Sequence, residues 1–136
     1  MELNILKLAS DTSNIKKIDN FTHKALKKNP MCGDYISFKI NIKKGLIDDL
    51  SYESKSCIYC QASASLISNF FVKKKLNFVI ETIKLINKYY ENQNIIISGT
   101  LKKIFNKKNY KRKDCICLPI KAMSQALKVK KIINPK

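Results

Sequence analysis

Acidic residues are scarce in this sequence: 10 Asp and Glu stand against 27 Lys and Arg, so the formal net charge is +17. An excess of this size favours an anionic partner, because clustered lysines neutralise acidic groups and release their counterions. Arginine is almost missing as well, since Arg112 is the only one, and no aromatic residues are spaced along a basic strand as stacking platforms for bases. Nucleic acid is therefore disfavoured as the partner, and an acidic protein is preferred.

Long apolar stretches are also missing. No run approaches the roughly 20 apolar residues that a membrane span needs, and Glu2, Asn4 and Lys7 interrupt the segment where a secretory signal would lie. The five cysteines are an odd number, and five free thiols need a reducing environment. We therefore expect a protein without a membrane partner in a reducing compartment, the cytoplasm or an organelle matrix.

The chain is long enough for one domain, 1–136, with a hydrophobic core of its own. Residues 1–29 are predicted to form a helical, basic lead-in, which Pro30 ends because the residue before a proline is driven out of the helical region. Residues 130–136 are predicted to form a flexible basic tail.

From Tyr35 onward the apolar residues recur with a period of two, which predicts a half-buried strand that ends near Ile42. Gly45 closes a hairpin turn, and 46–53 is the return strand. Helices are predicted at 60–72, at 78–90, around 101–105 and at about 116–129, where Pro119 suits a first turn. The fold class is thus α+β, a small antiparallel sheet of about three strands packed on one side by helices.

The five cysteines lie in three short segments, which are 29–34, 56–63 and 113–118. Thiolates are strong ligands for zinc and for iron–sulfur clusters, and a zinc site takes four ligands of the Cys, His or Asp kind. Two ligand sets are open on the residues alone. One consists of Cys57, Cys60, Cys115 and Cys117, and the other of Cys32, Asp34, Cys57 and Cys115.

Cys115 has the features of a reactive thiol. It is predicted to precede the last helix, where free amides and the helix dipole lower the pKa of a thiol. Arg112 and Lys113 would act in the same direction, whereas Asp114 would oppose them. The preceding segment, 92–113, is polar, and we expect it to be poorly anchored and mobile.

At these residues the chain resembles the iron–sulfur assembly family of IscU, SufU and the N-terminal part of NifU. The resemblance rests on three matching motifs, Asn29-Pro30-Met31-Cys32-Gly33-Asp34, Cys57-Ile58-Tyr59-Cys60-Gln61-Ala62-Ser63 and Arg112-Lys113-Asp114-Cys115. It implies that the metal ligands are Cys32, Asp34, Cys57 and Cys115, the second of the two sets.

The resemblance is nearest to the SufU type, because Asp114 replaces the histidine of IscU-type chains and a long segment, 58–114, separates the second and third motif cysteines. A SufU-type protein would bind Zn²⁺ and act as a sulfurtransferase-like carrier. Its Cys115 would accept sulfur from a SufS-like cysteine desulfurase and pass it to downstream assembly proteins. An IscU-type protein would instead be a non-catalytic scaffold for a [2Fe–2S] cluster on the same ligands, and a zinc-stabilised nucleic-acid-binding module is a third hypothesis.

Overall fold

The computed structural model describes residues 3–31, 33–92 and 94–128. The elements follow one another as α1 (Leu3–Ser10), β1 (His23–Lys28), β2 (Tyr35–Lys43), β3 (Leu46–Lys55), α2 (Ile58–Phe71), α3 (Leu76–Tyr89), two 3₁₀ helices (Leu101–Lys103 and Lys107–Arg112), α4 (Lys113–Ile116) and α5 (Leu118–Ala126). Among the described residues no helix is both long and apolar enough to cross a lipid bilayer.

The three strands form one antiparallel sheet in the order β1-β2-β3. In β2 the side chains of Ile36, Phe38 and Ile40 are fully buried, whereas the residues between them are only half-buried. This alternation, and the packing of α5 on β1 and β2 and of α2 on β3, place the helices on one face of the sheet. The predicted α+β fold class is confirmed.

The hairpin between β2 and β3 has a two-residue turn at Lys44 and Gly45, which lie at φ angles of 54° and 76°. Two consecutive residues in the left-handed region form the type of turn whose twist matches a two-strand ribbon. The turn pairs Lys43 with Leu46, and the register then continues to Tyr35 and Lys55 at the other end of the sheet, with one irregularity beside Asn41. The turn sequence therefore brings the start of β2 next to the end of β3.

The prediction of a helical lead-in over 1–29 was wrong for its second half, because His23–Lys28 is a β-strand and, within the described stretch 3–29, only Leu3–Ser10 is helical. The strand is held by its pairing with β2, and Thr22 continues the contact through its hydroxyl, which accepts a hydrogen bond from the Ile42 amide at 3.0 Å. Ala25 is the small apolar residue that this strand packs against the core. Lysines on an exposed edge strand also discourage pairing with a further chain.

The segment 92–113 is better anchored than the sequence suggested. Leu101, Ile104 and Phe105 are fully buried, and the Asn109 side chain donates a hydrogen bond to the Ile104 carbonyl at 2.8 Å. The expectation that this segment is poorly anchored was therefore wrong, since most of its apolar residues enter the core, although Ile96 stays exposed.

The predicted last helix, about 116–129, is observed as α5, and a separate short turn precedes it. A short helical turn, α4, ends at Ile116, and α5 begins at Leu118 with Pro119 in its first turn. Proline has no amide hydrogen to continue the ladder of a preceding helix, so the chain restarts there. Cys115 therefore lies ahead of the last helix, as predicted, but within the separate turn α4. The predicted tail, 130–136, lies outside the described residues.

Candidate metal centre

Asp34 is placed by the tight connection between β1 and β2. The Gly33 amide donates to the Asn29 carbonyl at 2.8 Å, and the Asn29 amide donates to the Asp34 carbonyl at 2.8 Å. Gly33 has a φ angle of 77°, which a residue without a side chain adopts readily. The Asn29 side chain also accepts a hydrogen bond from the Met31 amide at 3.0 Å. The loop is thus closed on itself, and it presents Asp34 at the start of β2.

Cys57 lies between the end of β3 and the first residue of α2, where it is the N-terminal capping residue of the helix. Its amide donates a hydrogen bond to Oδ2 of Asp34 at 3.1 Å. Because Tyr35 pairs with Lys55, the β2–β3 hairpin brings Asp34 and Cys57 together from opposite ends of two neighbouring strands. The sheet register therefore joins the first two motifs.

Cys115 is brought to the same place by two contacts between its segment and α2. The Ser63 hydroxyl, which is fully buried, donates to the Ile116 carbonyl at 2.6 Å. On the other side of Cys115, the guanidinium carbon of Arg112 lies 4.9 Å from the centroid of the Tyr59 ring. Helix α2 thus holds both flanks of the third motif.

One carboxylate oxygen of Asp34 and the sulfur atoms of Cys57 and Cys115 all lie within 4.8 Å of one another, and all three residues are half-buried. Two thiolates and a carboxylate are donors that zinc accepts, and a structural or catalytic zinc site needs one more ligand. Cys32, the fourth predicted ligand, lies outside the described residues. The structure therefore brings together the three members of the second ligand set that it describes.

Cys60 and Cys117 do not join this group. Cys60 is fully buried in the hydrophobic core, and burial raises its pKa to about 12. Burial also raises the pKa of Cys117 to about 11, although the positive charge of Lys121 acts against the shift. Both thiols are protonated at neutral pH and behave as small apolar side chains. The ligand set made of the two adjacent cysteine pairs is not assembled among the described residues.

The Cys115 thiol is less acidic than the sequence suggested. Burial, together with a hydrogen bond to Cys57 and the nearby negative charges, raises its pKa to about 11, and the Arg112 charge offsets only part of the shift. The prediction of a pKa lowered by a helix start was wrong, because α4 is a single turn with little dipole and the site is partly desolvated. In the protein alone Cys115 is a thiol, and a bound cation would favour the thiolate.

An open groove leads from the solvent to Asp34 and Cys57. Lys28 and Lys55 flank it on the outer strands, and Tyr35 lies between them because it pairs with both. The ion pairs found among the described residues are Lys16–Asp49, Lys73–Asp48 and Lys84–Glu81, so neither groove lysine has an acidic partner there. The entrance to the site is therefore positively charged.

Residues 2–131 match the sequence pattern of the NifU-like N terminal domain. A relative from Thermotoga maritima, the iron-sulfur cluster assembly scaffold protein IscU, is 31% identical over 123 residues, which cover 88% of this chain and 84% of that protein.

Solved structures share the fold. A putative iron-sulfur cluster assembly scaffold protein for the SUF system from Fervidobacterium islandicum superposes with a TM-score of 0.81 at 23% identity, covering 93% of this chain and 96% of that one. A nitrogen-fixing NifU-like protein (N-terminal) from Brucella abortus also has a TM-score of 0.81, at 18% identity, with 93% and 91% covered. At these identities the likeness shows the fold alone.

Proposed function

Because the chain belongs to the NifU-like N-terminal domain family, we propose that it is an iron–sulfur cluster assembly protein that accepts sulfur from a cysteine desulfurase. The observation that carries the proposal is the convergence of Asp34, Cys57 and Cys115 from three separate segments within 4.8 Å. The relative from Thermotoga maritima, which is named for iron–sulfur cluster assembly, supports the same process.

We assign Zn²⁺ as the resident metal, with Cys32, Asp34, Cys57 and Cys115 as its ligands. The three described ligands supply two sulfur donors and one oxygen donor, a mixture that suits zinc. When bound, the zinc ion would supply positive charge that favours the thiolate forms of its ligands. A carboxylate in place of a fourth thiolate binds a soft ion more weakly, which suits a site that must release one of its thiols.

Cys115 is the residue that accepts sulfur. Its thiolate attacks the outer sulfur of the donor persulfide, R–S–SH, and a new S–S bond forms while the old S–S bond breaks. The donor leaves as R–S⁻, and the terminal hydrogen stays on the transferred sulfur, so Cys115 ends as a persulfide and no oxidant is needed. Cys57 is less suited to this role because its amide is bonded to Asp34 and it begins a fourteen-residue helix.

A second candidate function is that of a scaffold, in which an iron–sulfur cluster is the cargo assembled on the same residues. The name of the Thermotoga maritima relative favours it. The donor set is compatible with both functions, since clusters are held mainly by cysteine thiolates. What separates the two is whether the protein carries zinc and a persulfide or iron and sulfide.

The test begins with the metal content of protein purified without added iron, measured by plasma mass spectrometry. We expect about one zinc per chain, as the four-ligand site requires. Cys57→Ala should remove it, whereas Cys60→Ala, the matched control three residues away in the same helix turn, should retain it. Loss of zinc from Cys60→Ala with retention in Cys57→Ala would instead support a site built on the adjacent cysteine pairs.

The second stage is incubation with a cysteine desulfurase and cysteine, followed by peptide mass spectrometry. One added sulfur is expected on the peptide that contains Cys115, and it should be absent from Cys115→Ala. Purified protein that contains stoichiometric iron and sulfide, and gains no persulfide, would favour the scaffold function. Salt-sensitive binding to a random DNA duplex without either property would favour the nucleic-acid module.

A further inference from the structure

Two cationic side chains precede Cys115, and each lies against a tyrosine ring. The Arg112 guanidinium is 4.9 Å from the centroid of the Tyr59 ring. The Lys113 ammonium is 4.3 Å from the centroid of the Tyr110 ring and 3.1 Å from the Tyr110 hydroxyl. The two neighbouring cations are therefore held by rings that belong to different parts of the fold.

This difference decides which cation acts at the site. Tyr59 is in the first turn of α2, two residues after Cys57, so Arg112 lies over the helix that begins at the site. The Arg112 charge acts on Cys115, together with the opposing charge of Asp34. The Lys113 charge acts on Cys117 instead. Of the two adjacent cations, Arg112 is the one that lies over the helix start at the site, because the Lys113 ammonium is bonded to the Tyr110 hydroxyl.

The Tyr59 ring gives the Arg112 side chain a fixed orientation. A long side chain on the surface samples many rotamers, and an aromatic face restricts a guanidinium through packing and cation–π attraction. Tyr59 is itself partly buried and packs against the hydrophobic core, so the ring is a firm support. The next ring contact of the same kind, Lys113 on Tyr110, is anchored separately through Tyr90.

We propose that Tyr59 is a positioning residue that holds Arg112 beside Cys115, so that the guanidinium charge favours anionic reagents and developing negative charge at this thiol. The inference rests on the proposed function in one respect, since it takes the natural reagent to be a persulfide. The transfer step carries one negative charge, which moves from the Cys115 thiolate onto the leaving R–S⁻. A fixed guanidinium favours that step because it stabilises the negative charge shared by the sulfur atoms in the transition state more than it stabilises the starting neutral thiol.

Charge preference at one cysteine can be measured without any partner protein. Protein treated with a chelator and a phosphine reductant is alkylated at low ionic strength with iodoacetate, which is an anion, or with iodoacetamide, which is neutral. Peptide mass spectrometry gives the rate of each reaction at Cys115. Both reagents need the thiolate, so the ratio of the two rates cancels its pKa and reports the local charge.

Relative to wild type, Arg112→Gln should lower the iodoacetate-to-iodoacetamide ratio at Cys115 about threefold, the size expected when one nearby unit charge is removed from a half-exposed thiol at low ionic strength. Tyr59→Leu should lower the ratio about twofold although the arginine is still present. Tyr59→Phe keeps the aromatic ring and should therefore have the same ratio as the wild type. Lys113→Gln is the matched control, because it removes the same charge one residue away and should leave the ratio nearly unchanged.

Three results would overturn the inference: a wild-type ratio in Tyr59→Leu, a lowered ratio in Tyr59→Phe, or an effect of Lys113→Gln as large as that of Arg112→Gln. Tyr59→Leu and Tyr59→Phe should both give the wild-type ratio in 8 M urea, where the ring contact is lost, and circular dichroism confirms that each variant is folded without urea. Because no desulfurase is present, failure here is distinct from failure of sulfur transfer. A protein with the expected ratios that accepts no persulfide would refute the proposed function alone.

Discussion

Two serines of helix α2 allow a matched test of how the third motif is held. Ser63 and Ser65 are both buried, at 0% and 1% exposure, but only the Ser63 hydroxyl has a partner, the Ile116 carbonyl at 2.6 Å. The Ser65 hydroxyl finds no hydrogen-bond partner among the described residues. The same substitution by alanine therefore removes a buried hydrogen bond at one position and an unsatisfied polar group at the other.

The two substitutions should change the free energy of unfolding differently. Ser63→Ala should destabilise the protein by about 1–2 kcal/mol, since a buried hydrogen bond is lost. Ser65→Ala should be neutral or stabilising by about 0.5–1 kcal/mol, because it removes a hydroxyl that was buried without compensation. Both variants gain the better helix propensity of alanine, so this gain cancels in the difference between them, which should be about 1–3 kcal/mol.

Urea unfolding followed by circular dichroism, with a chelator and a reductant present, measures this difference, provided that both variants keep the wild-type slope. A zinc competition titration then measures the consequence at the site. Ile116 follows Cys115, so Ser63→Ala should weaken zinc binding and Ser65→Ala should not. Equal stabilities for the two variants, or a more stable Ser63→Ala, would refute the assignment of Ser63 as the tether of the third motif.

Three other substitutions are informative. Asp34→Asn should keep the acceptor for the Cys57 amide but weaken zinc binding about tenfold or more in a competition titration, since a neutral amide is a poorer ligand; an unchanged affinity would remove Asp34 from the site. Burial raises the pKa of Tyr52 to about 12, so the unfolded chain loses this proton first, near pH 10, and stability falls as the pH rises towards 12. Tyr52→Phe should reduce that fall by at most about 1.4 kcal/mol in urea unfolding at pH 8 and pH 11, and an identical fall would contradict the assignment. Gly45→Ala should cost about 1 kcal/mol because φ is 76° there, whereas Gly99→Ala, with open space around it, should be nearly neutral.

The hairpin and the two long helices could be predicted because their signals are local. Alternating apolar residues in β2, a glycine in a two-residue turn and helical spacing in α2 and α3 each specify an element within a few residues. The strand β1 gave no such signal, since Ala25 is its one apolar contact with the core. The segment is extended because it pairs with the free edge of β2, and such pairing with another strand leaves no local pattern in the sequence.

The site was predictable to a different degree. The three motifs named Asp34, Cys57 and Cys115, and the structure brings these residues together. The spacing of the cysteines did not show that Cys60 is fully buried. Residues three apart can both face the site, but one of them can equally face the site while the other faces the core. The sequence also could not show that burial raises the pKa of Cys115 more than the Arg112 charge lowers it. Desolvation depends on every segment that packs around the thiol.

The three ligand segments are fixed by unequal means, and this inequality fits the proposed chemistry. Asp34 and Cys57 are joined by a direct hydrogen bond of 3.1 Å at the end of a paired hairpin, so separating them requires breaking the sheet register. Apart from one hydrogen bond between its thiol and Cys57, Cys115 is held through its neighbours, by Ser63 at Ile116 and by Tyr59 at Arg112. Local opening follows the weakest set of contacts, so the Cys115 turn is the part of the site that can leave first while the fold persists. A sulfur acceptor needs such a division, with two ligands that stay in place and a third that reaches its donor.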